Sequence, residues 1–296
     1  MIPKLAIEHL TKTYKTTRAV DDLMLSVPTG CIFGLLGRNG AGKTTTFGCA
    51  LGLARPDSGS IWFDGRALTP DALQNIAHVP ETPALDGWMT GAEHIEYHRR
   101  IYKRFDRRRA RDLADRFDVP LNRHVRKLSK GQKTSIALLL AFAQRVDLMF
   151  LDEPASGLDP YMQLRLLDLI VRDGADGTTV ILSSHHIGQI ERAAEHVAII
   201  DRGKIVVQGN LDDLRSGHKV IEAPFTHPPQ LKDLRTNAAV TRIEEHGALV
   251  RVHVTRDTNT IVQALGQLGA NSVRTIDRTL EDIFLATVSP SGAEQS

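Results

Sequence analysis

Short apolar runs separated by polar, glycine-containing turns dominate the first third of the chain. Leu5-Ala6-Ile7 and Met24-Leu25-Ser26-Val27 have the length and composition of strands, and Pro28-Thr29-Gly30 is a turn. Cys31-Ile32-Phe33-Gly34-Leu35-Leu36 is a continuous apolar run of strand length. The next stretch, Thr44 to Leu53, predicts a helix with Phe47, Ala50, Leu51 and Ala54 on one face. Ser58 to Gly65 reads as turn, short strand, turn. From about Thr90 to Ala143 the period becomes helical, with Ile95, Ile101, Leu113 and Phe117 set among many charges. Then Leu148-Met149-Phe150-Leu151, Val180-Ile181-Leu182 and Val197-Ala198-Ile199-Ile200 are short apolar runs with helical segments between them. That alternation predicts an α/β fold, a mainly parallel sheet covered by helices.

The chain becomes more polar after about Leu214, and Pro224, Pro228 and Pro229 mark a boundary or a loop. Beyond them Leu249 to Val254 alternates like a strand, and Thr260 to Leu268 forms an amphipathic helix. The predicted organisation is a first domain over 1–215 with a helical subdomain at about 90–144. A small accessory α+β domain follows over 216–288, then a disordered polar tail over 289–296.

Composition narrows the function classes. The chain has 296 residues, 42% hydrophobic and 24% charged, the profile of a soluble globular protein. A net charge of +2 supplies no global field for nucleic acid or membrane. The longest apolar run, Ile136 to Ala143, is too short to span a bilayer, and Met1-Ile2-Pro3-Lys4 lacks a secretory apolar region. Cys31 and Cys49 read as small buried apolar residues, not a disulfide. The cytoplasm is the expected compartment.

The most specific chemistry lies in Gly37-Arg38-Asn39-Gly40-Ala41-Gly42-Lys43-Thr44, which matches the P-loop pattern between a strand and a helix. A triphosphate needs several backbone N–H groups converging on its oxygens, and side chains would obstruct that approach. Lys43 supplies a point charge for the β- and γ-phosphates, and Thr44 a hydroxyl for Mg²⁺. The helix start directs its positive end at the same anion, with Thr45 in its first turn. The apolar strand Leu148 to Leu151 ends in Asp152-Glu153. A carboxylate at the end of a buried strand suits Mg²⁺, so Asp152 is the expected metal ligand and Glu153 the base that deprotonates the attacking water.

Further segments carry a family resemblance. Leu128-Ser129-Lys130-Gly131-Gln132 resembles the signature motif of ABC-type ATPases, Ala155-Ser156-Gly157-Leu158-Asp159-Pro160 their D-loop, and Ser183-Ser184-His185 their switch-histidine segment. Tyr14 is similar to the aromatic residue that stacks on adenine. The resemblance covers residues 1 to about 215 and implies an ABC cassette, with a RecA-like P-loop core and a helical subdomain. It implies ATP and Mg²⁺ as cofactors. It also implies that Ser129, Gly131 and Gln132 contact the γ-phosphate held by a second subunit, that His185 places Glu153, and that Asp159 crosses the dimer interface. Glu81 stands where the family usually has Gln after the strand Ile76 to Pro80, and could still reach Mg²⁺. Lys130 stands where Gly is more usual; its side chain can point to solvent or to the triphosphate.

Both variants, and the closing Thr279 to Leu285, are similar to export-type ATP-binding subunits whose permease is a separate chain. The expected partners are therefore a transmembrane permease and a second ATP-binding subunit, a homodimer at the cytoplasmic face of the membrane. The alternative is a soluble ABC-type ATPase acting on nucleic acid or ribosomes. The single cassette, the lack of sustained heptads and the lack of paired Cys-x-x-Cys motifs argue against it.

Other features read more plainly. The basic run Arg99, Arg100, Lys103, Arg104, Arg107, Arg108, Arg109 and Arg111 is a solvated helix face or a docking surface for anionic lipid or an acidic loop. His94 and His98 share a helical face but lack a third metal ligand. His186 is expected to face away from the site, and Trp62 and Trp88 to pack or form an interface.

Overall fold

The computed structural model describes residues 2–217, 219–227, 229–255 and 257–288. Two compact units emerge, Met1–Gln208 and Gly209–Ser296. The division therefore falls at 208/209 rather than 215/216, within a strand and before the turn-rich prolines.

In chain order the first unit carries β1 (Leu5–Tyr14), β2 (Thr17–Val27), β3 (Ile32–Leu36), α1 (Lys43–Ala50), β4 (Ser58–Phe63), β5 (Arg66–Ala67), α2 (Pro70–Leu73) and β6 (Ile76–Val79). It continues with α3 (Gly91–Ile101), α4 (Arg107–Arg116), α5 (Lys130–Ala143), β7 (Leu148–Asp152), α6 (Pro160–Ala175), β8 (Thr179–Ser184), α7 (Ile187–Ala193), β9 (His196–Asp201) and β10 (Lys204–Asn210). A six-stranded sheet has the order β10-β9-β3-β8-β7-β6, with parallel pairing of β6 to β7, β7 to β8, β8 to β3 and β3 to β9. Every residue of β3, β7 and β8 is buried, which explains why their sequences are continuous apolar runs instead of alternating ones.

A parallel sheet was the only sheet expected here, yet a second one is present. It is a four-stranded antiparallel sheet of order β2-β1-β4-β5. β1 and β2 are ten and eleven residues long, far longer than the three- and four-residue apolar runs that announce them. Both are bulged: the β1–β2 pairing shifts register between Ile7 and Leu10 and again further along. A bulge breaks strict alternation, so the polar half of each strand is hidden from a period-two reading. The two sheets share one core, in which Phe47 of α1 meets Phe150 of β7 edge-on at a centroid distance of 5.1 Å.

The helical region is bounded by its own caps. Thr90 accepts from the Glu93 backbone N–H while Glu93 accepts from that of Thr90, a reciprocal capping box that starts α3. Gln144 closes α5. His94 and His98 do not form a metal site. His98 Nδ1 lies 2.9 Å from the His94 carbonyl oxygen, and its ring stacks on Tyr102 at 5.5 Å. Burial pushes the His98 imidazole below its ordinary pKa. Among the described residues no cluster of three or more His, Cys, Asp or Glu side chains could hold a metal. The basic run is largely paired: Arg99, Arg100 and Arg107 converge on Glu96, Arg104 reaches Asp147, and Arg109 reaches the buried Asp173. Among the described residues no helix is long and apolar enough to cross a membrane.

The second unit carries α8 (Leu211–Gly217), β11 (Lys219–Pro224), α9 (Lys232–Arg235), β12 (Val240–His246), β13 (Leu249–Val254), α10 (Thr258–Gln267), β14 (Arg274–Asp277) and α11 (Leu280–Val288). Its sheet has the order β12-β13-β11-β14, antiparallel throughout. Pro224 does not mark a loop: it is the last residue of β11, opposite Leu249, a strand-end position where a missing N–H costs little. Pro228 and the predicted tail 289–296 lie outside the described residues.

Candidate active site

Three strand-to-helix junctions build the site. β3, β8 and β7 are adjacent and parallel, and Leu36 pairs with Ser184 while Asp152 pairs with Ser183. Their C-terminal ends therefore lie side by side, the usual place for a ligand in an open α/β sheet. The loop 37–42 leaves β3 here. Gly37 and Ala41 are buried, while Arg38, Asn39 and Gly40 form the exposed crown of the loop. Gly42 has φ +111°, and a β-carbon there would meet the Ala19 carbonyl oxygen at 2.5 Å. Only glycine satisfies both conditions at the start of α1.

Lys43 is 6% exposed, and its ammonium donates to the carbonyl oxygens of Gly37 at 2.7 Å and Arg38 at 3.3 Å. It also lies 3.2 Å from Glu153 Oε1. Thr44 Oγ1 donates to Asp152 Oδ2 at 2.7 Å. The hydroxyl of Ser183 donates to Asp152 Oδ1 and accepts from the Glu153 backbone N–H at 3.1 Å. His185 Nδ1 donates to Glu153 Oε2 at 2.9 Å. Lys43, Thr44, Asp152, Glu153 and His185, all expected at the site, thus form one connected polar cluster at the edge of the core.

Glu153 sits at φ +47°, in the left-handed region that a non-glycine residue rarely occupies. Its peptide is held there by the Ser183 contacts and by Ser156, whose N–H donates to the Glu153 carbonyl oxygen at 2.9 Å. Strain fixed by several bonds at a site of this kind aims a side chain. The Glu153 carboxylate is clasped on both oxygens, by an ammonium on one and an imidazole on the other.

The remaining expected residues do not join this cluster within the chain. Ser129 caps α5, accepting from the Gln132 N–H while Gln132 Oε1 accepts from the Ser129 N–H. Asp159 caps α6, accepting from Met162. Tyr14 ends β1 with 49% of its surface exposed and the Lys12 ammonium 5.2 Å from its ring centre. Thr45 is half-buried in the first turn of α1. Glu81 is exposed after β6 and, among the described residues, shares no hydrogen bond or ion pair with the cluster. His186 is exposed, and its ring lies 3.9 Å from that of His185. Sequence reasoning passed over Ser183, the residue that joins the two carboxylates. The signal available was a hydroxyl residue ending a buried apolar strand.

Comparison with known proteins decides the family. Residues 20–156 match the ABC transporter family. An ABC transporter ATP-binding protein of Bacillus subtilis, YhaQ, is 31% identical over 293 residues, covering 96% of this chain and 98% of the relative. This chain belongs to the ABC transporter ATP-binding proteins. The daunorubicin/doxorubicin resistance ATP-binding protein DrrA of Streptomyces peucetius is 30% identical, with coverage of 96% and 92%. Nod factor export ATP-binding protein I of Cupriavidus metallidurans is 31% identical, with coverage of 95% and 96%. Among solved structures, an ATP-binding subunit of an ABC transporter superposes with a TM-score of 0.66 at 30% identity, covering 72% of this chain and 92% of that one. A dimeric ATP-binding cassette with ADP and phosphate shares the fold at a TM-score of 0.64 and 23% identity, covering 70% and 98%. This ABC ATP-binding protein is thus an ATPase.

Proposed function

We propose that this ABC ATP-binding protein powers export through a separate transmembrane permease, from the cytoplasmic face of the membrane. ATP closes two copies head to tail, and hydrolysis releases them. The observation that carries the chemistry is the Glu153 carboxylate, held between Lys43 and His185 beside the Thr44–Asp152 pair. The similarity to resistance and Nod-factor export proteins supports the direction of transport.

Mg²⁺ fits the donor set at Thr44 and Asp152, which present a hydroxyl and a carboxylate oxygen 2.7 Å apart, the hard ligands this ion prefers. Bound there, it neutralises charge on the phosphate oxygens. Lys43 gives N–H donors to two loop carbonyls and only an ion pair to Glu153, so an incoming β- or γ-phosphate competes for a charge already aimed into the loop. Glu153 then accepts the proton of the attacking water, while His185 holds Oε2 in place. Ser129 uses its oxygen as an acceptor from Gln132, which leaves the hydroxyl hydrogen free to donate to a phosphate on a second copy. Gly131 presents its backbone N–H to the same phosphate, Asp159 crosses the dimer interface, and Tyr14 offers its exposed ring to the base. The permease is gripped over the helical region, where Trp88 and Tyr97 are 68% and 52% exposed.

Glu153→Gln tests the reading. It should lower steady-state ATP hydrolysis by roughly 100-fold or more while ATP still binds. Sedimentation should show dimers of that variant with ATP, and adding Ser129→Arg should abolish them. Wild-type turnover would remove Glu153 as the base. Monomers with ATP in the single variant would remove the composite site.

A further inference from the structure

Lys130 occupies an unusual place. It is the first residue of α5, immediately after the capping Ser129, and its exposed side chain lies along the 155–158 loop. Its Nζ donates to Ser156 Oγ at 3.0 Å. Its stem runs across Gly157, so closely that a β-carbon on Gly157 would lie 3.0 Å from Lys130 Cδ and 3.1 Å from Cγ. The neighbouring Gly131 is equally constrained, since a β-carbon there would approach the Gly157 carbonyl oxygen to 2.7 Å. The start of α5 and the 155–158 loop are therefore in direct contact, and two glycines make that contact possible.

The loop so contacted follows directly on the base. Glu153, two residues before it, sits at φ +47°, and the Ser156 N–H closes the turn onto the Glu153 carbonyl at 2.9 Å. The other end is anchored at Leu158, whose carbonyl oxygen accepts from Gln163 Nε2 at 3.0 Å, and at Asp159, the cap of α6. Among the described residues Lys130 makes no ion pair with an acid, so its ammonium is committed to this loop through one hydroxyl. From these contacts we infer that Lys130 is a positioning residue: it ties the phosphate-sensing turn at Ser129 to the chain's own Glu153 through Ser156. A phosphate of the opposite copy that settles on Ser129 draws the start of α5 toward it. Lys130 then passes that displacement to Ser156, and Ser156 to the backbone of the base. The signature turn thereby reports to the hydrolytic site of its own subunit as well as serving its partner's. The inference rests on the composite-site reading above.

The test uses the full chain and steady-state ATP hydrolysis. Lys130→Met keeps the stem and removes the donor, and Ser156→Ala removes the acceptor. Each should lower kcat by roughly 3- to 10-fold, the range of one ordinary solvent-exposed hydrogen bond, with KM for ATP within about twofold. Lys130→Arg should restore most of the loss. The double variant Lys130→Met/Ser156→Ala should be no worse than either single variant, because both break one link. Unchanged kcat in Lys130→Met, or losses that multiply in the double variant, would overturn the inference. An unaltered melting temperature in Lys130→Met excludes a folding defect; if it falls, Ser156→Ala and Lys130→Arg decide the matter. Failure of the composite site itself reads differently: Ser129→Arg would leave ATP-driven dimers of Glu153→Gln intact, whatever Lys130 does to kcat.

Discussion

At the C-terminal edge of the parallel sheet, Lys43, Asp152 and Glu153 are buried together. In the second unit His253 and Arg278 are buried beside Glu244. Burying charge is costly in both places, and the two clusters meet the cost differently. In the second unit the charges pair among themselves around Glu244, with Arg242 and His246 on the exposed side. Glu244 receives Arg242 at 3.1 Å, His246 at 3.4 Å and His253 at 3.3 Å, and Arg278 donates to the other nitrogen of His253. Burial alone would raise the Glu244 carboxyl, but the hydrogen bond from His246 and the surrounding positive groups bring it below the usual range. At the sheet edge the same kinds of groups end at strand termini and face a loop. Thr44 is exposed while its hydroxyl touches the buried Asp152, and His185 is partly exposed while its ring touches the buried Glu153. Both clusters have partners that reach solvent, but the sheet-edge charges also lie beside a glycine loop and a helix start, a cradle for an anionic ligand, whereas the second unit's charges are met by one another.

That contrast has measurable consequences. Lys43→Met should reduce kcat/KM for ATP by roughly 100-fold or more, through loss of the phosphate-directed charge and of the Glu153 partner, with a smaller change in melting temperature. If turnover survives, the sheet-edge cluster is structural like the other. Arg278→Met should do the reverse, costing the second unit about 1–3 kcal/mol by leaving the buried His253 Nδ1 without its donor, with KM for ATP unchanged. Denaturant unfolding and ATPase assays on the same preparation compare the two directly.

The smallest expected effect is pH-dependent. Burial first, and then the Arg278 charge, hold the His253 imidazole below its ordinary value of 6.5. The unfolded chain therefore takes up a proton at His253 before the folded unit does. This group leaves stability unchanged above about pH 6.5 and lowers it as pH falls through that value toward the depressed folded pKa. His78 and His98 shift in the same direction through burial, so the wild-type slope has several sources. His253→Gln should make the melting temperature fall less between about pH 7 and pH 5 than it does in the wild type. An identical slope in both would place His253 outside the linkage.

Much of the first unit was legible because its chemistry is local. The P-loop and the Asp152-Glu153 pair are each short segments whose spacing carries their geometry, and both lie where an apolar run ends. The antiparallel sheet was less legible because bulged strands lose the period-two signal that would reveal them. The link between Asp152 and Glu153 was invisible for another reason. It runs through Ser183, thirty residues away and unremarkable in its own segment, and exists only because β7 and β8 are paired in one register.

The amino-acid order alone therefore pointed to the loop expected to take a phosphate, to the carboxylates that end the buried strand, and to two units in succession. Those properties depend on residue type and on spacing within a few positions. The fold chose which of the candidate groups meet. It brought Lys43 and His185 to opposite oxygens of Glu153, left Glu81 outside, and laid Lys130 across Gly157. Such pairings rest on strand register and close backbone approach between segments far apart in the chain, and no local pattern encodes either.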